Sequence, residues 1–213
     1  MGLRMSKIVN KEILRLFPSL VFKGLIEDHE IIDRAAEQVD FLKLSKRGSL
    51  TRDKFSTEDN LHEMPQFAEL SEIILEETNQ VLDFYAVDRE SHYITNMWAH
   101  VTLNGHRHPT HIHPNSYLSG IIYLKTPINC GNTIFIDPRN GSTMIHPDFK
   151  EQNYFNMDTF IHSPKKGAML IWNSWLPHMV DQSAVPIDEE RVVVAFNIMI
   201  KGSVQRKTEQ IVF

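Results

Sequence analysis

A single cysteine, Cys130, stands among the 213 residues, so no internal disulfide can form and the disulfide-stapled scaffolds are excluded. Nowhere is there an apolar run of the roughly 18 residues that a membrane-spanning helix needs. A basic block is also missing: 22 Lys and Arg stand against 27 Asp and Glu, a formal net charge of −5, and this balance carries no footprint for a nucleic-acid backbone. With 9 glycines and 10 prolines, the chain is too poor in both to be of low complexity. These absences imply a folded, cytoplasmic protein with neither nucleic acid nor a membrane as partner. Its length suffices for one sizeable core.

Histidine is what the composition has in excess. There are 11, and four of them, His106, His108, His111 and His113, fall within eight residues, so the chemistry is to be sought there. At the start, Met1-Gly2-Leu3-Arg4-Met5-Ser6 fits the myristoylation template. One acyl chain anchors only marginally and no polybasic cluster follows to help it, so the expectation is an ordinary N-terminus.

The chain divides near residue 90. From Asp28 to Leu44, Ile31, Ile32, Ala35, Val39 and Leu42 recur at the helical period, with Asp28 as the cap. From Pro65 to about Ala86, Phe67, Leu70, Ile74, Val81 and Phe84 form an apolar stripe while Glu69, Glu72, Glu76 and Asp83 face away. Residues 45–60 read as a loop, with a place near an active-site mouth and plain structural filler as equal alternatives. Beyond His92, short β-branched and aromatic segments predict strands at 93–103, 117–125, 133–137, 168–172 and 191–200, punctuated by turn residues such as Asn104-Gly105 and Lys166-Gly167. Strands without intervening helices exclude a parallel α/β sheet and point to a jelly-roll or cupin-like sandwich. The expected fold is therefore mainly β with helical N-terminal support: one domain over 1–213, helical over 1–90, a double-stranded β-helix over 91–202 and a tail over 203–213.

In an extended strand residues i and i+2 share a face, so His111-Ile112-His113 presents two imidazoles to one point. The third ligand is sought on a distant strand, and His178, in the apolar run Trp175-Leu176-Pro177-His178-Met179-Val180, is the best candidate. Three protein ligands on one face leave three open positions, as non-haem iron oxygenases require. His106 and His108 form a competing pair but follow Asn104-Gly105 and precede Pro109, and so read as entrance residues. His29, His62, His92, His100, His146 and His162 read as surface or hydrogen-bonded core residues. Arg191 opens the hydrophobic stretch Arg191-Val192-Val193-Val194-Ala195-Phe196-Asn197. Its planar charge suits a carboxylate, either that of a bound acid or that of Asp188, Glu189 or Glu190.

Several stretches together resemble the 2-oxoglutarate and iron(II)-dependent oxygenases, and within them a prolyl-hydroxylase-like group of bacterial and phage proteins. They are 111–124 (His111-Ile112-His113-Pro114-Asn115 to Leu124), Phe135-Ile136-Asp137-Pro138-Arg139, 164–172, 175–180 and 190–197, with Leu16-Phe17-Pro18-Ser19 similar to the group's opening. The resemblance implies Fe(II) held by His111, His113 and His178 and 2-oxoglutarate held by Arg191, with Tyr123 and, more weakly, Ser119 sharing the co-substrate. It further implies a dioxygenase that hydroxylates a small molecule or a protein side chain, forms succinate and CO2, and works in the cytoplasm of a bacterial or phage-infected cell. At position 113 the superfamily carries Asp or Glu, and two residues after Arg191 many relatives carry a hydroxyl where this chain has Val193.

Two alternatives stay open. One is a cupin-type dioxygenase or isomerase that does not use 2-oxoglutarate. Gly105 followed by His111-Ile112-His113 matches the start of the cupin pattern, whereas Tyr117 and Leu118 occupy the place of its glutamate. The other is a non-catalytic metal-binding protein on the same fold. Residues 140–163, with Tyr154, Phe155 and Phe160, read either as part of a substrate pocket or as a plain insertion.

Overall fold

The computed structural model describes residues 12–139, 144–145, 147–204 and 211–212, so the Met1 to Ser6 pattern and His146 lie outside them. Eleven strands and two helices carry the fold: β1 (Val21–Leu25), α1 (His29–Leu44), β2 (Gly48–Leu50), β3 (Lys54–Thr57), α2 (Ala68–Phe84), β4 (Ser91–Thr102), β5 (His108–His111), β6 (Leu118–Lys125), β7 (Thr133–Ile136), β8 (Thr159–His162), β9 (Ala168–Asn173), β10 (His178–Val180) and β11 (Arg191–Lys201). A further two-residue pair, β12 (Ser203–Val204) with β13 (Ile211–Val212), lies in the segment expected to be a tail.

The strands form a seven-stranded sheet, β1-β9-β6-β11-β4-β3-β2, and a four-stranded sheet, β5-β10-β7-β8. Their pairings are antiparallel. From β4 to β11 the chain passes back and forth between the two sheets, the winding of a double-stranded β-helix.

Period-two alternation gives the large sheet two different faces. Met97, Ala99 and Val101 of β4, Ile122 and Leu124 of β6, and Val192, Val194, Phe196 and Ile198 of β11 join the buried faces of α1 and α2 in one apolar core. Trp98, His100 and Thr102 of β4, Ile121 and Tyr123 of β6, and Arg191, Val193 and Ala195 of β11 take the opposite positions. There Tyr123, Leu170, Trp172 and Val193 meet Phe135 of the small sheet in a second cluster. Gly120 keeps the sheet close-packed, because a Cβ there would sit 2.2 Å from Phe196 Cζ.

The side chain of Asp28 caps α1, accepting from the Glu30 N–H at 2.9 Å, and Ile32, Ala35, Ala36, Val39 and Leu42 are its buried face. The second helix begins at Ala68, after a 3₁₀ turn at Pro65–Phe67. Phe84, placed in the stripe by its spacing, is 66% exposed and packs edge-on with Phe22 and Tyr85. None of the helices among the described residues is long and apolar enough to cross a membrane.

The N-terminal part differs from a purely helical one. β1 pairs with β9, and β2 and β3 form a hairpin that pairs with β4, where residues 45–60 read as a loop. Strands of three to five residues present too few inward side chains to show a period, and their partners lie far away in sequence. The same shortness conceals β5, β8 and β10, whereas the four longer strands, β4, β6, β9 and β11, stand close to their expected limits, as does the four-residue β7.

Candidate metal centre

His111 closes β5 and His178 opens β10, and the two residues sit directly opposite each other in the antiparallel pair. His113 lies two residues past the strand end, where its N–H donates to the Ser174 carbonyl at 3.0 Å. One ring nitrogen from each of the three histidines falls within 4.8 Å of the others. The ring centroids are 4.3 Å apart for His111 and His178, 5.0 Å for His111 and His113, and 5.1 Å for His113 and His178.

Hydrogen bonds select the tautomers. His111 Nδ1 faces the Pro109 carbonyl at 2.9 Å and His178 Nδ1 faces the Leu176 carbonyl at 2.9 Å. A carbonyl only accepts, so each Nδ1 carries the proton and each Nε2 is left with a lone pair. His113 Nε2 and His178 Nε2 are 3.2 Å apart, the spacing of two nitrogens that each stand about 2.1 Å from one shared ion. Burial, helped by repulsion from His111, holds His113 down to about 4. Burial likewise takes His178 to about 3, against an opposing hydrogen bond to Leu176. Both rings are therefore neutral at pH 7, the form that binds a metal. The donor set thus fits a divalent transition ion with open positions.

The cavity before this triad is lined by Trp98, His100, Thr102, His106, His108, Thr133, Trp172, Arg191 and Val193, among others. Arg191 is 3% exposed. Its guanidinium lies 5.5 Å over the Tyr123 ring, its buried Nε has no hydrogen-bond partner, and it makes no ion pair with any carboxylate among the described residues. Glu190, one of the local candidates, is bound to Lys43 instead. A buried cation left in this way is costly unless an anion meets it.

Tyr123 is fully buried beneath Arg191, with its hydroxyl 2.7 Å from Thr133 Oγ1. Burial raises its pKa, against the pull of the Arg191 charge. Ser119 lies on the same face of β6 but outside the cavity lining. Its hydroxyl is 2.8 Å from Ser174 Oγ and donates to Asn197 Oδ1 at 2.7 Å. The cavity thus brings together His111, His113, His178 and Arg191, with Tyr123 directly behind and Ser119 apart.

Other lining residues did not stand out in the sequence. Trp98 Nε1 donates to His100 Nε2 at 2.8 Å, and His100 Nδ1 is 2.8 Å from Ser56 Oγ. This chain holds both rings against the cavity, and burial pushes His100 well below its ordinary value. Reading the alternation within β4 would have placed Trp98, His100 and Thr102 on the face of Arg191. His106 and His108 do line the entrance, and His106 Nδ1 is 3.3 Å from Asp53 Oδ2 at the turn of the β2–β3 hairpin. That hairpin therefore reaches the mouth. None of the described residues of 140–163 lines the cavity.

Residues 96–197, from β4 to β11, match the family described as "Putative 2OG-Fe(II) oxygenase". No similar sequence was found among curated proteins. Among solved structures, a prolyl-4-hydroxylase from Pseudomonas putida superposes with a TM-score of 0.59 at 10% identity, over 84% of this chain and 92% of that one. The non-heme alpha ketoglutarate dependent epimerase SnoN from nogalamycin biosynthesis gives 0.60 at 14% identity, over 85% and 78%. The viral collagen prolyl hydroxylase vCPH from Paramecium Bursaria Chlorella virus-1, in its 2OG complex, gives 0.51 at 14% identity, over 84% and 94%. At such identities the superpositions speak for the fold, and the segment 96–197 speaks for the sequence. The chain is thus similar to the 2-oxoglutarate and iron(II)-dependent oxygenases in sequence over residues 96–197 and in fold over most of its length.

Proposed function

We propose that the chain is a 2-oxoglutarate- and Fe(II)-dependent dioxygenase of the hydroxylase type. His111, His113 and His178 hold the metal, and Arg191, backed by Tyr123, receives the distal carboxylate of 2-oxoglutarate. The observation that carries this reading is a three-imidazole cluster and a buried guanidinium, without a carboxylate partner among the described residues, facing one cavity. A cupin that does not use the oxo-acid has no need of that cation, so Arg191 favours the oxygenase over the cupin reading. Iron(II) held there with 2-oxoglutarate would supply oxidative decarboxylation by dioxygen, one oxygen atom going to succinate, with release of CO2, and the other into a substrate C–H bond.

This chain's residues supply position and environment. The Nδ1 hydrogen bonds of His111 and His178 aim their Nε2 lone pairs at one point. Arg191 offers a planar donor fork for a carboxylate, and Tyr123, Val193, Leu170 and Trp172 exclude water behind it. His113 stands where the superfamily carries a carboxylate. Three neutral imidazoles leave the metal's charge at +2, which the co-substrate dianion would neutralise.

The test is anaerobic loading with Fe(II), admission of dioxygen and assay of succinate from 2-oxoglutarate. Metal-dependent succinate is expected even without the substrate, as uncoupled turnover. An intact metal site that forms no succinate with any metal would overturn the proposal.

A further inference from the structure

Six histidines line the cavity, and five have their roles set by the contacts above. His100 is held between Trp98 and Ser56, and His106 faces Asp53. His111, His113 and His178 form the metal cluster. His108 is the one left over: it makes no hydrogen bond or ion pair to any described residue, and its ring lies 4.3 Å from that of His111.

Its place there is built by the backbone. Residues three apart in a regular strand face opposite sides of the sheet, yet His108 and His111 both line the cavity. The register explains this: His178 is opposite His111 and Val180 opposite His108, so β5 carries one residue more than β10. That extra residue is a β-bulge, which re-aims a side chain and disrupts the ladder. The bulge spans Pro109 and Thr110, both exposed at the edge of the small sheet. Proline there gives up an N–H that an edge strand does not need, and the Pro109 carbonyl holds His111 Nδ1. One irregularity therefore orients a metal ligand and turns a free imidazole toward the same cavity.

We infer that His108 is a co-substrate-binding residue, its ring N–H donating to an oxygen of 2-oxoglutarate beside His111 while Arg191 holds the distal carboxylate. This rests on the proposed function and adds to it. Around an anion spanning the cavity, Ile121, Val193 and Ala195 offer no hydrogen bond and His100 has none to spare, while Trp172 Nε1, itself buried without a partner, is a second N–H in the lining. A hydrogen bond from a neutral donor to a charged acceptor is worth about tenfold or more in affinity.

The test is an anaerobic titration of the Mn(II)-loaded protein with 2-oxoglutarate by calorimetry, with the Mn(II) affinity and thermal midpoint measured alongside. His108→Leu should weaken 2-oxoglutarate binding about tenfold at unchanged metal affinity and thermal midpoint, and His108→Gln, which keeps a donor, should recover most of the loss. Equal binding by wild type and His108→Leu would overturn the assignment, and so would an equal loss in His108→Leu and His108→Gln, since shape alone would then account for it. Failure of the metal-loaded wild type itself to bind 2-oxoglutarate would remove this assignment together with the proposed function. Failure at His108 alone leaves that function standing.

Discussion

The two faces of the large sheet are made by the same strands and differ in almost every respect. Toward α1 and α2, β4, β6 and β11 present Met97, Ala99, Val101, Ile122, Leu124, Val192, Val194 and Phe196, all essentially buried and all apolar. Toward the small sheet the intervening positions mix Ile121, Val193 and Ala195 with Trp98, His100, Thr102, Ser119, Tyr123, Arg191 and Asn197. The helix face gains stability from burial, at roughly 25 cal/mol per Å² of apolar surface. The cavity face carries buried polar groups that cost free energy unless satisfied, and Arg191 Nε is left without a partner. Alternation lets one strand do both: the stable face holds in place the residues that a ligand must complete.

Substitutions on the two faces should therefore separate in kind. The largest effect is expected at the metal ligands: His111→Ala or His178→Ala should lower metal affinity and succinate formation by more than about 100-fold, beyond what loss of an outer-shell partner does, as read by metal content and a 2-oxoglutarate assay. Next comes Arg191→Met, which should weaken 2-oxoglutarate binding by roughly 2–5 kcal/mol, the range for removing one partner of a buried charge pair, while metal affinity holds. Because the guanidinium has no carboxylate partner among the described residues, the same variant should unfold in denaturant no more easily than wild type. A clear loss of stability would show that Arg191 belongs to the structural face after all.

On the helix face, Phe196→Ala should cost about 3–5 kcal/mol of stability without changing the affinity of the folded protein for metal, as measured by denaturant unfolding and Mn(II) titration. The smallest effect is a dependence on pH. His178 and His113 titrate near 6.5 when unfolded and near 3 and 4 when folded. Between those limits the unfolded chain binds more protons, so stability is complete above pH 6.5 and declines as pH falls toward 4. His178 contributes roughly 1.4 kcal/mol per pH unit, and His113, partly open to solvent, contributes less. Unfolding midpoints of the metal-free protein at pH 7.5 and 5.5 check this, and His178→Phe should reduce the slope without abolishing it, because burial also lowers His100, His108 and His113.

The candidate site was legible where its signal is local. The spacing of His111 and His113 brings the two rings together, although His113 lies just beyond β5 and depends on its N–H bond to Ser174 to hold its place. His178 was found by its apolar surroundings, which follow from its place in the pair with His111. The partner of Arg191 was not legible. Glu190 is adjacent in sequence, but Lys43, at the end of α1, takes its carboxylate, and no local rule foretells a contact 147 residues away. Ser119 shows the converse: the right strand face, but hydroxyl and amide partners from Ser174 and Asn197 that hold it away from the cavity.

Periodicity and turn chemistry, which act over a few residues, determined the two helices, the long strands and the pairing of His111 with His113. Tertiary structure decided the rest: the short strands β1, β2 and β3 that complete the large sheet, the bulge that turns His108 inward, the gathering of six histidines around one cavity, and the placing of Arg191 away from every carboxylate among the described residues. These depend on which strand lies beside which, and pairings between distant segments are selected only when the whole sheet closes.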